Sequence, residues 1–369
     1  MRRKTLAAIC RERRGPFVLE EVELDEPRPD EVLVRIQATG ICHTDVLVRE
    51  GAYPVPLPIV LGHEGAGVVE AVGDAVEGLV PGDNVVLTYR SCETCSSCLR
   101  GRPGYCRNIF ELTYGGGRPD GSSPISQAGR RVGGDFFGQS SFAGYAMAHG
   151  QNAVKVRADV PPELAGPLGC GIQTGYGAVV ESLGVRPGDT VVVLGTGPVG
   201  LSAILAAAHL ACSKIVAVDI LAPRLQLALE LGATATVQSP VDGGLTDTLR
   251  EIEPDGFQFA IDTTGRPEVG RAAVDALSPM GVFGLVGGSP LGTEVSLDMN
   301  TMLFGGRSFR GIIGGDAIPK LMIPRLADLV ATGRLPMEKL TTTYPLEAIN
   351  EAVADTQSGR AVKAVVMPE

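Results

Sequence analysis

The stretch Thr190–Ile220, TVVVLGTGPVGLSAILAAAHLACSKIVAVDI, decides the fold. It opens on an unbroken apolar run, turns at clustered glycines, passes through good helix formers and closes on a second apolar run. A strand buried on both faces reads as continuous rather than alternating hydrophobicity, and the parallel sheet that buries it is covered by helices. The turn from Gly195 to Gly200 has the form G-x-G-x-x-G. Such a pattern arises by chance in a chain with 49 glycines, but here it follows a strand and opens a helix, the setting in which it binds a dinucleotide. Gly195 permits the tight turn, Gly197 the approach of a pyrophosphate, and Gly200 close helix–strand packing, with Val199 in the same turn. The helix N-terminus then offers N–H groups and a positive dipole end to phosphate. Asp219 ends the second strand, where a carboxylate accepts hydrogen bonds from ribose hydroxyls and repels a 2′-phosphate, so NAD is expected rather than NADP.

The period continues downstream. A helix through RLQLALELGA, the strand FQFAIDTTG, a helix from Pro267 and the strand GVFGLVGG complete an α/β, doubly wound parallel-sheet domain. The first half differs. EVLVRIQATG, EGAGVVEAVG and DNVVLTY are short strands broken by Gly, Pro and Asp, which predicts a mainly antiparallel, barrel-like β domain. Towards the C-terminus helices are expected around Ile318–Thr332 and Glu347–Ser358, then a last strand in AVKAVVM. The Gly-, Ser- and Pro-rich segment Tyr114–Arg131 reads as a long surface loop.

Cys92, Cys95, Cys98 and Cys106 have the spacing C-x2-C-x2-C-x7-C. One loop can thus wrap four thiolates around Zn²⁺ at about 2.3 Å, a closed site that leaves no position for substrate and is structural. Two disulfides would be the alternative, but the sequence shows no export signal: the start MRRKTLAAICRERRG has too short an apolar run. No stretch is long enough to span a bilayer, and a cytoplasmic protein is expected. A zinc ribbon on nucleic acid is disfavoured by the net charge of −10. Cys10 and Cys212 read as small hydrophobes.

GICHTD (Gly40–Asp45) and GHEGAGVV (Gly62–Val69) place Cys42, His63 and Glu64 on loops of the β domain, and Cys170 lies in LGCGIQTGYG. Two thiolates and an imidazole would leave a fourth zinc position open, as catalysis requires. No local spacing ties Cys170 to the others, so the residues alone leave this trio open between a metal set and ordinary packed side chains.

Taken in order, GICHTD, GHEGAGVVEAVG, the four-cysteine loop, LGCGIQTGYG and VVVLGTGPVG resemble the zinc-dependent medium-chain alcohol dehydrogenases from about Thr5 onward. The resemblance implies a GroES-like catalytic domain at 1–171 and 314–369 and a Rossmann domain at 172–313. It implies two zincs per chain: a catalytic one on Cys42, His63 and Cys170, with Glu64 able to enter its coordination transiently, and a structural one on the cysteine loop. Asp45 resembles the carboxylate that orients the ligand imidazole, and Thr44 the hydroxyl that accepts the alcohol's proton. His43 and Lys363 resemble residues beside the pyrophosphate, Thr174 one at the nicotinamide, and Arg224 one at the adenosine ribose. The segment NIFELTYGGG…GGDFFGQSSFAGYAM is similar to aryl-alcohol (benzyl-alcohol-like) dehydrogenases, which implies a pocket lined by Phe137, with Thr88, Tyr89 and Phe110 as further candidates. Leu47 stands where many relatives carry a proton-relay histidine. The expected activity is reversible oxidation of primary alcohols, of the aryl (benzylic) or allylic class, to aldehydes with NAD, by a homodimer or homotetramer. Glutathione-dependent formaldehyde dehydrogenase is an alternative that requires a cation for the glutathione carboxylate, and Arg118, Arg130 and Arg131 are available in sequence. A non-catalytic NAD-binding sensor is the other.

Overall fold

The structure is a computed structural model that describes residues 3–240 and 243–368. The chain divides into two compact units, Met1–Cys170 with Ile318–Glu369, and Gly171–Ala317. Among the described residues no helix is long and apolar enough to cross a membrane.

The second unit is built on a parallel sheet of six strands whose spatial order is 3-2-1-4-5-6 in sequence terms. Those strands are, in chain order, Thr190–Leu194, Lys214–Asp219, Ala235–Gln238, Phe257–Asp262, Leu277–Leu285 and Ser308–Gly311. Helices such as Pro198–His209, Ala222–Glu230 and Pro267–Asp275 make the crossovers. Thr190–Leu194 is central because both neighbours pair with it, and its Val191, Val192, Val193 and Leu194 are fully buried, hence the continuous apolar run. Val192, Val216, Phe257 and Phe283 share one apolar core on this sheet. The strand order reverses between Thr190–Leu194 and Phe257–Asp262, and a crevice at the carboxyl ends of such strands is where dinucleotides bind.

The first unit holds two mainly antiparallel sheets. One runs Ile59–Val60, Arg3–Cys10, Phe17–Leu24, Ile125–Gln127, Arg130–Val132. The other is centred on Glu31–Gly40, which pairs with Gly65–Val72 along one edge and with Tyr145–His149 and Lys363–Met367 on the other. Asn84–Leu87 and Ala153–Lys155 extend it beyond Gly65–Val72, and Thr341–Pro345 pairs in parallel with Lys363–Met367. Phe17 and Phe142 meet edge to face at 5.6 Å in a core with Ile9, Leu24 and Phe136.

The segment expected as a long surface loop departs from that reading. Ile125–Gln127 and Arg130–Val132 form a hairpin that continues the first sheet, turned by Ala128 and Gly129, both with positive φ. Its preceding turn carries Arg118, which is 5 % exposed and grips Glu31 through two bonds of 2.6 and 2.8 Å. Composition signals a loop because Gly, Ser and Pro dominate it; the apolar Ile125 and Val132 flanking the turn are the strand signal.

Candidate functional site

Within the first unit, Cys42, His63, Glu64 and Cys170 come together, with one donor atom of each within 4.8 Å of the others. Cys42 is the N-cap of the helix His43–Glu50, so its side chain stands at the helix entrance. Asp45, one turn in, fixes three things at once. It accepts from the Cys42 backbone N–H at 3.0 Å, from the Gly62 N–H at 3.1 Å, and sits 3.0 Å from His63 Nδ1. That carboxylate sets the imidazole's tautomer and aims Nε2 away from it. Nε2 is buried and makes no hydrogen bond, a costly state for a polar atom that a metal would relieve. Two sulfurs, an imidazole nitrogen and a carboxylate oxygen are the donor types Zn²⁺ selects, so the residues fit the ion.

Electrostatics agree. The Cys42 thiol is drawn well below its ordinary value, chiefly by a hydrogen bond with Cys170 and further by His63 and Lys363, while Cys170 is pushed well above by the same bond and by burial. Burial opposes charge on His63, but Asp45 and the Cys42 sulfur outweigh it and raise the imidazole. Protons shared this way are those a metal displaces on binding. Glu64 is raised by burial and held back by Lys363, whose ammonium lies 2.8 Å from one carboxylate oxygen and 3.0 Å from the Ile41 carbonyl. The resemblance implies a pyrophosphate contact for Lys363; the structure instead puts its buried amine on Glu64. Gly40 admits that carboxylate, because a Cβ there would lie 2.0 Å from Glu64 Oε2.

The remaining first-unit candidates divide between the cluster itself and the surface around it. Phe137 stacks on the His63 ring, centroids 4.4 Å apart and planes 26° from parallel. Its φ is +54°, and Asp135, Gly138 and Ser140 also have positive φ. A bulky residue held there costs of order 1–3 kcal/mol and persists only when its surroundings over-determine it. Phe136 and Tyr114, absent from the sequence-derived candidates, complete an aromatic group: Tyr114 meets Phe137 edge-on at 5.3 Å and Tyr53 at 5.3 Å. Thr88 is buried with its hydroxyl donating to the Gly169 carbonyl at 2.6 Å, so it braces the residue before Cys170. Tyr89 is half-buried, and Phe110 is largely exposed, 5.9 Å from Tyr114. Thr44 is half-buried in the first turn of the helix His43–Glu50, and His43 is exposed.

In the second unit Gly195 has φ +86°, and a Cβ on Gly200 would fall 1.9 Å from the Gly195 carbonyl oxygen. Gly197 caps the helix Pro198–His209, with Pro198 preset in its first turn and Val199 half-buried behind it. Asp219 is buried and accepts from the Thr196 N–H and hydroxyl, both at 2.7 Å, and from the Leu221 N–H at 3.0 Å. Arg224, in the first turn of Ala222–Glu230, keeps a buried Nε that makes no hydrogen bond. Thr174 is half-buried on the short helix Gly171–Gly177. The glycine turn, the strand-end carboxylate and this guanidinium fit the phosphate and ribose parts of a dinucleotide.

The cysteine loop forms a second cluster. Donor atoms of Cys92, Cys95, Cys98 and Cys106 again lie within 4.8 Å of one another, and none is in a disulfide. Sγ separations of 3.9 Å (Cys92–Cys98) and 3.5 Å (Cys95–Cys98) approach the tetrahedral edge of about 3.8 Å implied by Zn–S bonds of about 2.3 Å. Backbone N–H groups of Cys95 and Cys92 donate to sulfur at 3.3 Å, stabilising thiolate. Hydrogen bonds from the loop backbone bring Cys95 down to about 6, while burial and its neighbours push Cys98 up to about 12.

Comparison with known proteins fits this geometry. Residues 28–158 match the model of the alcohol dehydrogenase GroES-like domain, and residues 198–332 that of the zinc-binding dehydrogenases. A geraniol dehydrogenase of Castellaniella defragrans is 44 % identical over 98 % of this chain and 97 % of its own length. An S-(hydroxymethyl)glutathione dehydrogenase of Komagataella pastoris is 34 % identical over 98 % of this chain and 97 % of its own. The crystal structure of benzyl alcohol dehydrogenase from Acinetobacter calcoaceticus is 42 % identical, covers both chains fully and has a TM-score of 0.96.

Proposed function

The chain belongs to the zinc-dependent medium-chain alcohol dehydrogenases, and we propose that it oxidises benzylic or allylic primary alcohols to aldehydes, reversibly, with NAD. The observation that carries the substrate class is the aromatic wall: Phe137 stacked on His63, with Phe136 and Tyr114 edge-on behind it. A flat π-system seats against such faces better than a short alkyl chain does. Geraniol and benzyl alcohol, named for two relatives, both carry unsaturation beside the carbinol carbon.

In this reading Cys42, His63 and Cys170 hold one zinc, and Cys92, Cys95, Cys98 and Cys106 a second. Zinc supplies the Lewis acid that lowers the alcohol's pKa, and the nicotinamide supplies the hydride acceptor. Thr44 accepts the alcohol's proton. Asp45 fixes the ring of His63, and Phe137 orients the alcohol's π-face so that the carbinol carbon is presented in one pose. Glu64, paired with Lys363, keeps a carboxylate within reach of the cluster without leaving an uncompensated buried charge. At the dinucleotide end the charge of Asp219 disfavours a 2′-phosphate, which supports NAD.

A panel of benzyl alcohol, geraniol, ethanol and S-hydroxymethylglutathione, each with NAD⁺ and NADP⁺, tests this. Benzyl alcohol and geraniol with NAD⁺ are expected to exceed the others at least tenfold in kcat/KM. Preference for S-hydroxymethylglutathione would overturn it; Arg118, one candidate anchor for that substrate's carboxylate, is already spent on Glu31 and Asp25.

A further inference from the structure

Gln139 lies in none of the catalytic motifs, yet its side chain is 1 % exposed and its hydrogen bonds converge on the cluster. Its Nε2 donates to the carbonyls of His63 at 2.9 Å and Thr88 at 3.2 Å, and its Oε1 accepts from the Gly65 N–H at 3.1 Å. The amide therefore grips the main chain on both sides of Glu64. Through Thr88 it reaches further, because the Thr88 hydroxyl donates to the Gly169 carbonyl, one residue before Cys170. Its own backbone is part of the left-handed turn that presents Phe137 to His63, and Asn152 closes the circuit by donating to the carbonyls of Thr88 at 2.9 Å and Gly138 at 3.1 Å.

We propose that Gln139 is a positioning residue that sets the metal donors and the aromatic wall as one piece. This role presupposes that His63 and Cys170 hold zinc. Only a carboxamide of this length suits the place: two N–H donors face two carbonyls and one oxygen faces an N–H. Glutamate lacks the donors, methionine and leucine lack both functions, and asparagine is one methylene short. A loosened Gln139 would let the His63 peptide and the Phe137 turn relax together, so metal retention and discrimination between aryl and alkyl alcohols would fall in step. A residue that merely filled space would lower stability and leave both untouched.

The test compares wild type with Gln139→Met as isolated holoenzymes. Zinc transfer to a colorimetric chelator gives retention at each site, Co²⁺ substitution reports the catalytic ligand field by its visible bands, and kcat/KM is measured for benzyl alcohol and ethanol. Loss of a group hydrogen-bonded to a metal-ligating side chain typically costs about 10–100-fold in metal affinity or activity. Gln139 acts one step further out, on the main chain of His63, so a loss of about tenfold is expected, confined to one zinc, with shifted Co²⁺ bands. The benzyl-to-ethanol ratio is expected to fall about fivefold or more, and non-additively with Phe137→Ala, since the two act through one turn. Wild-type zinc retention, Co²⁺ bands and substrate ratio in a variant with a lowered melting temperature would overturn the proposal. If Gln139→Met does not fold, Gln139→Asn, which keeps the amide but cannot span both sides, is measured in the same three ways: the same losses support the positioning role and wild-type values overturn it. A wild-type enzyme with no zinc on Cys42, His63 and Cys170 would instead defeat the reading beneath it.

Discussion

The two sulfur-rich clusters of the first unit are alike in size and opposite in construction. The Cys92–Cys106 loop draws its donors from one continuous stretch and satisfies its sulfurs with its own backbone N–H groups. The Cys42–His63–Glu64–Cys170 cluster draws from three separate segments, and three of its four donors are held by something remote: Asp45 on His63, Lys363 on Glu64, Thr88 beside Cys170. A loop that makes its own cage can only tie itself together. A cage assembled from separate elements can be aimed, and can retain a side open to another ligand.

That contrast breaks most severely at the aimed cluster. Replacing Cys42 or His63 by Ala is expected to cost more than about 10³-fold in kcat, since a Lewis acid contributes several kcal/mol and each 1.36 kcal/mol is tenfold. Both variants are expected to stay folded, because the loop is intact, with the larger drop in melting temperature in His63→Ala, which leaves the buried Asp45 carboxylate without its imidazole; calorimetry alongside turnover checks both halves. Thr44→Val is expected next, losing about 10²–10⁴-fold as a positioned proton acceptor is removed while Thr44→Ser keeps activity, read from single-turnover NADH formation. Wild-type rates in Thr44→Val would remove Thr44 from the mechanism.

The converse substitution, Cys95→Ser, acts on the self-contained loop. It is expected to release one zinc per chain and lower the melting temperature by about 5–10 °C, near 2–3 kcal/mol at about 2–4 °C per kcal/mol for units of this size. The molecules that stay folded are expected to keep their kcat, and a loss of kcat like that of Cys42→Ala would erase the distinction between the clusters. Leu47→His is the mildest: less than about a twofold change, visible only where proton release limits the rate at lower pH, as a pH–rate profile would register.

The same contrast governs what is legible in the sequence. The cysteine loop is legible because its geometry is written in local spacing, as are the glycine turn Gly195–Gly200 and the strands Thr190–Leu194 and Lys214–Asp219. Cys170 is not tied to Cys42 by any spacing, and only the ordered set of motifs joins them. Gln139 leaves no trace, since its partners His63, Gly65 and Thr88 lie on other segments. Glycine misleads twice. It disguises the Ile125–Val132 hairpin as loop, and in GIQTGYG it hides the helix Gly171–Gly177, where Gly175 is required because a Cβ would lie 1.9 Å from the Val199 carbonyl oxygen.

The strand Lys363–Met367 pairs beside Glu31–Gly40, so the first unit is completed by residues made after the whole of Gly171–Ala317. On the ribosome this imposes a calendar. Cys42, His63 and Cys170 emerge early, the contiguous dinucleotide unit can finish folding next, and the ammonium that neutralises Glu64 arrives last. Until then Glu64 has no cation of its own, and the strand Glu31–Gly40 keeps an unpaired edge at Thr39 and Gly40, waiting for its last partner.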